Sequence, residues 1–363
     1  MIVQSKLKVG IIGGTGMVGQ RFVSLLADHP WFDIKVVAAS ANSAGKSYEE
    51  AVQGRWKMQT GIPDKVRNLT VQNAAEVQKV SDQVDFVFCA VDMKKEDTRI
   101  LEEQYAKCET PVISNNSANR MLPDIPMVIP EINPEHMAII ESQKKRLGTK
   151  YGFIAVKPNC SIQSYVPPIH ALQQYGPKSI LACTYQAISG AGKSFEDWPE
   201  IIDNVVPYIG GEEEKSEKEP LKIWGKIEQG QIVPTSSTII TTQCIRVPVS
   251  DGHMAAVFVS LEKKVDKQAI IDLWNNYEGR PQKLKLPSAP QPFMQYFSED
   301  NRPQSKLDRD FGQGMGVSMG RLREDTVYDY KFVCLSHNTL RGAAGGAVLI
   351  AELLKAEGYL QAK

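Results

Sequence analysis

Two features of this chain can carry chemistry: one cysteine in a turn, and one glycine-rich loop. Cys160 lies in Val156-Lys-Pro-Asn-Cys-Ser-Ile-Gln. Pro158 disfavours helix at Lys157, and helix-spaced apolar residues begin just after Ser161. The thiol is therefore expected near a helix N-terminus, where the dipole favours a thiolate. The other cysteines are Cys89, Cys108, Cys183, Cys244 and Cys334. Cys89, Cys183 and Cys334 fall in apolar strand-like runs and read as small buried hydrophobes, the ordinary fate of a cysteine. Cys108 follows a helical stretch, and Cys244 has apolar neighbours at alternate positions. The six are scattered, with no CxxC pair and no Cys/His cluster, so neither a bound metal nor a disulfide framework is expected. A reducing, cytoplasmic compartment is the simplest setting.

The loop reads Gly13-Gly-Thr15-Gly16-Met17-Val18-Gly19, with glycines at 13, 16 and 19. It follows an apolar strand-like run and opens a helix-like one. Glycines in that position allow a tight turn and close approach of backbone to a phosphate at a helix N-terminus. An ordinary glycine turn is the plainer alternative. The next strand ends in Val36-Val-Ala-Ala-Ser40, without the acid that would hold a ribose in an NAD site. It continues into Ser40-Ala-Asn-Ser43-Ala-Gly-Lys46. Those hydroxyls and that lysine suit a 2′-phosphate, so NADP is favoured over NAD.

These groups need elements to hold them. With 363 residues, the chain is long enough for two domains or one large one. Over the first 150 residues, strand-like runs at 8–12, 34–38, 84–90 and 111–114 alternate with helical patterns at 17–26 and 94–107. That rhythm predicts a parallel sheet covered by helices. Beyond about residue 156, strand-like runs at 179–189, 237–249 and 255–262, with helical patterns at 162–174 and 267–276, predict a second, α+β unit. Residues 284–315 read as an extended excursion, and 343–356 as a buried helix. Lys plus Arg and Asp plus Glu are both 42. The resulting zero net charge gives no sign of a nucleic-acid partner. No apolar run approaches the length of a membrane span. The polar residues 1–8 show no signal peptide.

Taken together, these motifs resemble the aspartate-semialdehyde dehydrogenases over nearly the whole chain, most closely the branch shared by archaea, fungi and some bacteria. The resemblance rests on the glycine loop, Ser43-Ala-Gly-Lys46, Pro158-Asn-Cys160, Ser189-Gly190-Ala-Gly192, the segment from Arg246 to His253, and Asn338-Thr-Leu-Arg-Gly-Ala-Ala-Gly345. It implies an α/β protein: an N-terminal Rossmann-type domain (1–157 and 339–363, the C-terminal helix returning to it) and an α+β catalytic and dimerisation domain (158–338).

The implied reaction is NADPH-dependent reductive dephosphorylation of L-aspartyl-4-phosphate to L-aspartate-4-semialdehyde, in lysine, diaminopimelate, threonine and methionine biosynthesis. Cys160 matches the nucleophile and Gln186 the substrate-orienting glutamine. His253 would give and take a proton. The polar turn Ser250-Asp-Gly252 suggests that it sits at a loop tip, with His337 a weaker candidate. His29, His136 and His170 read as helix-end or surface residues. Asn159 and Arg120 match phosphate contacts, and Arg246 the arginine that grips the α-carboxylate.

The run of glutamates before Lys215 matches a Glu-x-x-Lys pattern. Glu212 would take the ammonium and Lys215 the phosphate, although Glu213 or Glu214 could hold that register. A charge run is otherwise a solvated helix face. Gly13, Thr15, Gly16, Met17, Val18, Ser40, Ser43, Lys46, Ser189, Gly190 and Asn338 are implied at the cofactor; Asn338 could equally cap the last helix. The resemblance also implies a homodimer or homotetramer. The rivals are an acyl-CoA reductase such as malonyl-CoA reductase, N-acetyl-glutamyl-phosphate reductase, and a non-catalytic NADPH sensor.

Overall fold

The computed structural model describes residues 5–363. Six strands form a parallel sheet: β1 (Leu7–Ile12), β2 (Phe32–Ala39), β3 (Gln72–Asn73), β4 (Phe86–Cys89), β5 (Val112–Ser114) and β6 (Ile154–Val156). Their order is β3-β2-β1-β4-β5-β6, the doubly wound arrangement whose ligands collect at the carboxyl ends of the strands. β4, β5 and β6 are buried throughout, as a sheet covered on both faces requires.

Alternation along these strands divides their side chains between two cores. Val9, Ile11, Phe86, Phe88 and Ile113 pack with Phe22 and Val23 of the helix Met17–Leu26 and with the helix Gly345–Ala356. Ile12, Val36, Val87, Ile154 and Val156 share a core with the helix Ile162–His170 and with the second sheet. Gly345–Ala356 is buried over nearly its whole length.

A two-residue turn, Gln229-Gly230, has positive φ at both positions, as a tight hairpin requires. It joins β8 (Lys226–Glu228) to β9 (Gln231–Val233). The second sheet contains β7 (Pro177–Gln186), β10 (Ile239–Arg246), β11 (His253–Leu261), β12 (Met294–Phe297), β13 (Val317–Glu324) and β14 (Tyr330–Ser336), in the order β10-β7-β11-β14-β13-β12. β11 alternates strictly between buried and half-buried residues, so one face packs on the helix Ile162–His170 and the other is open. Tyr185 and Ile239 stand exposed on this sheet.

The stretch 284–315 is not wholly irregular. It contains β12, an edge strand paired parallel to β13, and the short helix Ser305–Asp308. Its Pro- and Gln-rich composition hides a strand that pairs on one side only. β13 escapes pattern reading because the register shifts between Gly320 and Arg323, which breaks the period of two. Two histidines stand near helix ends, as read, but are not on the surface. His29 is buried and pairs through Nε2 with Glu352 at 2.9 Å. His136 is buried between Asn133 and the Gly225 carbonyl, each 3.0 Å from a ring nitrogen. With both partners supplied, an imidazole can be buried at little cost. Cys183, read as enclosed, is half-buried on the open face of the sheet.

Candidate active site

Topology brings four segments of the second sheet to one end. β7 and β10 run parallel and finish there with Gln186 opposite Arg246. β11 is antiparallel to β7 and starts there at His253, which pairs with Ser336 at the end of β14. The first sheet faces this end with two carboxyl-terminal turns. The turn after β5 carries Asn115 to Arg120, and the turn after β6 carries Lys157 to Cys160. Between them lies a cavity of about 570 Å³. Its lining includes Arg120, Asn159, Cys160, Gln186, Glu212, Lys215 and Arg246. Met17, Val18, Ser189, Gly190 and Asn338 line it too.

Cys160 immediately precedes Ser161, the first residue of the turn that opens the helix Ile162–His170. Its Sγ lies 3.5 Å from His253 Nε2. His253 is not at a loop tip: it is the first residue of β11 and fully buried. The polar turn Ser250-Asp-Gly252 belongs to the chain's approach to the strand, not to the histidine's surroundings. The ring is held from its other side by the Ala187 backbone N–H, which donates to Nδ1 at 3.1 Å. The Ala187 carbonyl accepts from Arg246 Nη1 at 2.6 Å, so the backbone of one residue orients both side chains. A Cβ on Gly190 would stand 2.9 Å from Arg246 Nη1 and 3.0 Å from His253 Nε2. A Cβ on Gly342 would stand 2.8 Å from Cys160 Cβ. Neither close approach is visible from the residue types alone.

Burial governs the electrostatics. It pushes the Cys160 thiol up from its ordinary value, and Glu212 adds to this, while Lys157, Arg120 and Arg246 oppose it. The helix N-terminus therefore does not by itself produce a low-pKa thiol in the empty site. Burial, Arg246 and His337 hold His253 well below the usual imidazole range, so the ring is neutral at pH 7. Lys157, which sequence reading passed over, is pushed down to about 7 by burial and by Arg120.

Of the three consecutive glutamates, Glu212 alone lines the cavity. Glu213 accepts from Gln243 and the Cys244 N–H, and exposed Glu214 pairs with Lys218. Burial acts to raise the Glu212 carboxyl, but Lys215, Asn159 and Arg120 together hold it below the usual carboxylate range. Lys215 Nζ lies 3.1 Å from it. Gln186 Nε2 contacts Thr184 Oγ1 at 3.2 Å and approaches Glu212 Oε1 at 3.5 Å.

Gly13, Thr15, Gly16 and Ser40 line a second cavity of about 390 Å³, so the glycine loop borders both. Gly13 has φ +84°, and a Cβ on Gly19 would meet the Gly13 carbonyl at 2.3 Å. The helix Met17–Leu26 starts after Gly16 with no side-chain cap, leaving its first amides available to an anion. Ser43 and Lys46 do not line this cavity: Ser43 is buried in a turn with Ser40, and Lys46 is exposed. Asn338 does not cap the last helix, since the turn Leu340–Ala344 intervenes. Its amide instead bridges the Gly252 N–H and Ser189 Oγ, each at 2.8 Å. Among the described residues no cluster could hold a metal ion, and no helix is long and apolar enough to cross a membrane.

A doubly wound dinucleotide-type sheet joined to a mixed sheet, with a polar cavity between them lined by Cys160, Glu212 and Arg246, defines a class: dehydrogenases built on a dinucleotide-binding sheet. Family models described as "Semialdehyde dehydrogenase, NAD binding domain" and "Semialdehyde dehydrogenase, dimerisation domain" match residues 8–140 and 167–341. An aspartate-semialdehyde dehydrogenase from Methanothermobacter thermautotrophicus is 42% identical over 353 residues, covering 96% of this chain and 99% of its own. One from Aspergillus fumigatus is 39% identical over 364 residues, covering 98% and 99%. The crystal structure of the Candida albicans enzyme with NADP superposes with a TM-score of 0.88 at 37% identity, covering 98% of this chain and all of that one. The chain belongs to the aspartate-semialdehyde dehydrogenase family.

Proposed function

We propose that this chain catalyses the reversible, NADPH-dependent reductive dephosphorylation of L-aspartyl-4-phosphate to L-aspartate-4-semialdehyde, a step of amino-acid biosynthesis. The observation that carries this reading is Cys160 Sγ, 3.5 Å from His253 Nε2, in one cavity with an acid, Glu212, and an arginine, Arg246. The substrate carries an ammonium and a carboxylate on one carbon, so a specific site should offer one partner to each. Arg246 presents a planar fork to the carboxylate.

The Cys160 thiolate attacks the acyl carbon. The bond from carbon to phosphate oxygen breaks, and phosphate leaves toward Arg120, Asn159 and Lys215, with a thioester remaining. When bound, NADPH supplies the hydride that reduces this thioester. The carbon–sulfur bond then breaks, and the aldehyde leaves with Cys160 restored as thiolate. Because Nδ1 accepts the Ala187 N–H, the neutral His253 ring carries its proton on Nε2, facing the sulfur. It would donate a hydrogen bond to the thiolate, give that proton to the departing phosphate and regain one from solvent, and Gln186 would orient the acyl group. Gly13, Thr15, Gly16, Met17, Val18 and Ser40 would hold the cofactor's phosphates and ribose. Ser43 and Lys46 would act at the 2′-phosphate, and Ser189, Gly190 and Asn338 at the nicotinamide end. The glycine loop, the uncapped helix start and the adjoining cavity fit such a group.

Residues 1–157 and 339–363 would form the cofactor domain, and 158–338 the catalytic and dimerisation domain. The end of β6 at Val156 and the packing of Gly345–Ala356 against the first sheet support this division. A homodimer or homotetramer formed through the open face of the second sheet would cover Tyr185 and Ile239. A cytoplasmic setting accords with six free cysteines. The test is a spectrophotometric assay with L-aspartate-4-semialdehyde, phosphate and NADP. NADPH formation that requires phosphate is expected; its absence, or activity with malonyl-CoA and NADPH instead, overturns the reading.

A further inference from the structure

The helix Glu212–Ile223 turns one face inward, burying Glu212, Ser216, Glu219, Lys222 and Ile223. Glu212 belongs to the cavity already described. Glu219 lies outside the cavity lining and has no part in the chemistry above. It is 2% exposed, and its carboxylate is shared between two distant segments. Oε1 accepts from Arg120 Nη1 at 2.9 Å, and Oε2 accepts from the Asn159 backbone N–H at 2.6 Å. One buried carboxylate thus ties the turn after β5 to the turn that carries Cys160.

Nearly one helical turn further on, Lys222 Nζ donates to the carbonyls of Arg120, Leu122 and Ile125 at 2.6, 2.6 and 2.8 Å. Two side chains of the same helix therefore hold the Arg120 turn, Lys222 by its main-chain carbonyls and Glu219 by its guanidinium. Arg120 directs Nη1 to Glu219 and Nη2 to the Asn115 carbonyl at 3.0 Å. Among the described residues its Nε is buried without a partner, as are both polar atoms of the Asn115 amide. Both residues line the cavity. Buried polar atoms without partners beside a cavity call for a polar ligand there.

We propose that Glu219 is a positioning residue for phosphate recognition. It sets the rotation of the Arg120 guanidinium and, through its other oxygen, holds the Asn159–Cys160 turn at a constant spacing from it. This rests on the reaction proposed above. A carboxylate is suited to the task because it presents an acceptor on both sides; an amide would turn its NH₂ group toward one of the two donors. The variant would leave a buried donor facing another donor, which costs more than the loss of an exposed contact.

The test compares wild type, Glu219→Gln and Glu219→Asp in aldehyde oxidation with phosphate varied, and in phosphate protection of Cys160 against iodoacetamide. Glu219→Gln should raise the KM for phosphate roughly ten-fold, the scale of one hydrogen bond to a charged group. The KM for aldehyde should stay nearly unchanged. The phosphate concentration that halves the alkylation rate should rise in parallel. Glu219→Asp, a carboxylate one methylene shorter, should show the same split at smaller amplitude. It carries the test if thermal melting shows that the Gln variant does not fold. An unchanged KM for phosphate, or equal changes in both KM values, overturns the proposal. A wild-type enzyme without phosphate-dependent turnover refutes the proposed reaction instead.

Discussion

The proposed cofactor side and the proposed substrate side of the cavity are built on opposite principles. The core of the cofactor side is one contiguous loop, Gly13 to Val18, which offers backbone amides and, at its glycines, no side chains. The substrate side is built from charged and polar side chains on separate elements: Arg120, Cys160, Gln186, Glu212 and Arg246 line it, and His253 lies behind Cys160. Most of them are buried. A buried charge is tolerated when it is paired and hydrogen-bonded. Here Arg120 has Glu219, Glu212 has Lys215, and Arg246 has the Ala187 carbonyl. The substrate side is therefore a prepaired network in which each group orients the next, whereas the glycine loop offers backbone rather than paired charges. Single substitutions should do more damage on the substrate side.

Cys160→Ser is the most severe. Turnover should fall by at least roughly a thousand-fold, because a hydroxyl is a poor nucleophile at neutral pH. NADPH binding, followed by fluorescence, should be nearly unaffected. Residual turnover above about a tenth of wild type would exclude the thioester route.

Arg246→Ala comes next. It strips the substrate carboxylate of its two-pronged partner and removes a support of the Ala187 peptide. The expected loss in kcat/KM is about 2–5 kcal/mol. Arg246→Lys should recover only part, since an ammonium cannot make the fork. Full recovery would reduce Arg246 to a point charge.

Glu212→Gln should be milder for turnover, because an amide oxygen can still accept from an ammonium. Its effect on Cys160 has a definite sign. The Glu212 carboxylate pushes the thiol up, so its removal should shift the pH profile of iodoacetamide alkylation to lower pH and speed alkylation at pH 7. Arg246 acts the other way, so Arg246→Ala should shift that profile to higher pH. Shifts in the same direction would break the electrostatic picture. Succinate semialdehyde, which lacks the amino group, should be nearly indifferent to Glu212→Gln; an equal penalty would remove the ammonium from Glu212's role.

The smallest effect belongs to the cofactor side. Lys46 is exposed and lies outside the cavity lining, so Lys46→Met should lower the preference of kcat/KM for NADP over NAD by no more than about 1 kcal/mol. Complete loss of that preference would mean that the loop closes over the bound cofactor.

The elements with strong local signals were legible. Residues 17–26 carry their apolar spacing and a glycine loop before them, and they form the helix Met17–Leu26. The run 34–38 lies within β2, and 343–356 contains the helix Gly345–Ala356. β12 and β13 were not legible, one because it is a polar edge and the other because a bulge breaks its period. Cys160 stood out because Pro158 and the start of a helix frame it. Glu219 and Lys222 gave no signal, since in a charge run a buried lysine looks like a solvated one.

The sequence by itself determined the parallel sheet, the glycine turn and the place of Cys160 before a helix, because each depends on neighbours within a few residues. Only the tertiary structure decided which glutamate enters the cavity, that His253 is enclosed at a strand start, and that Glu219 joins segments 60 and 99 residues away. Those outcomes depend on which charges can be buried together, and that is settled only when distant segments converge on the same dry volume.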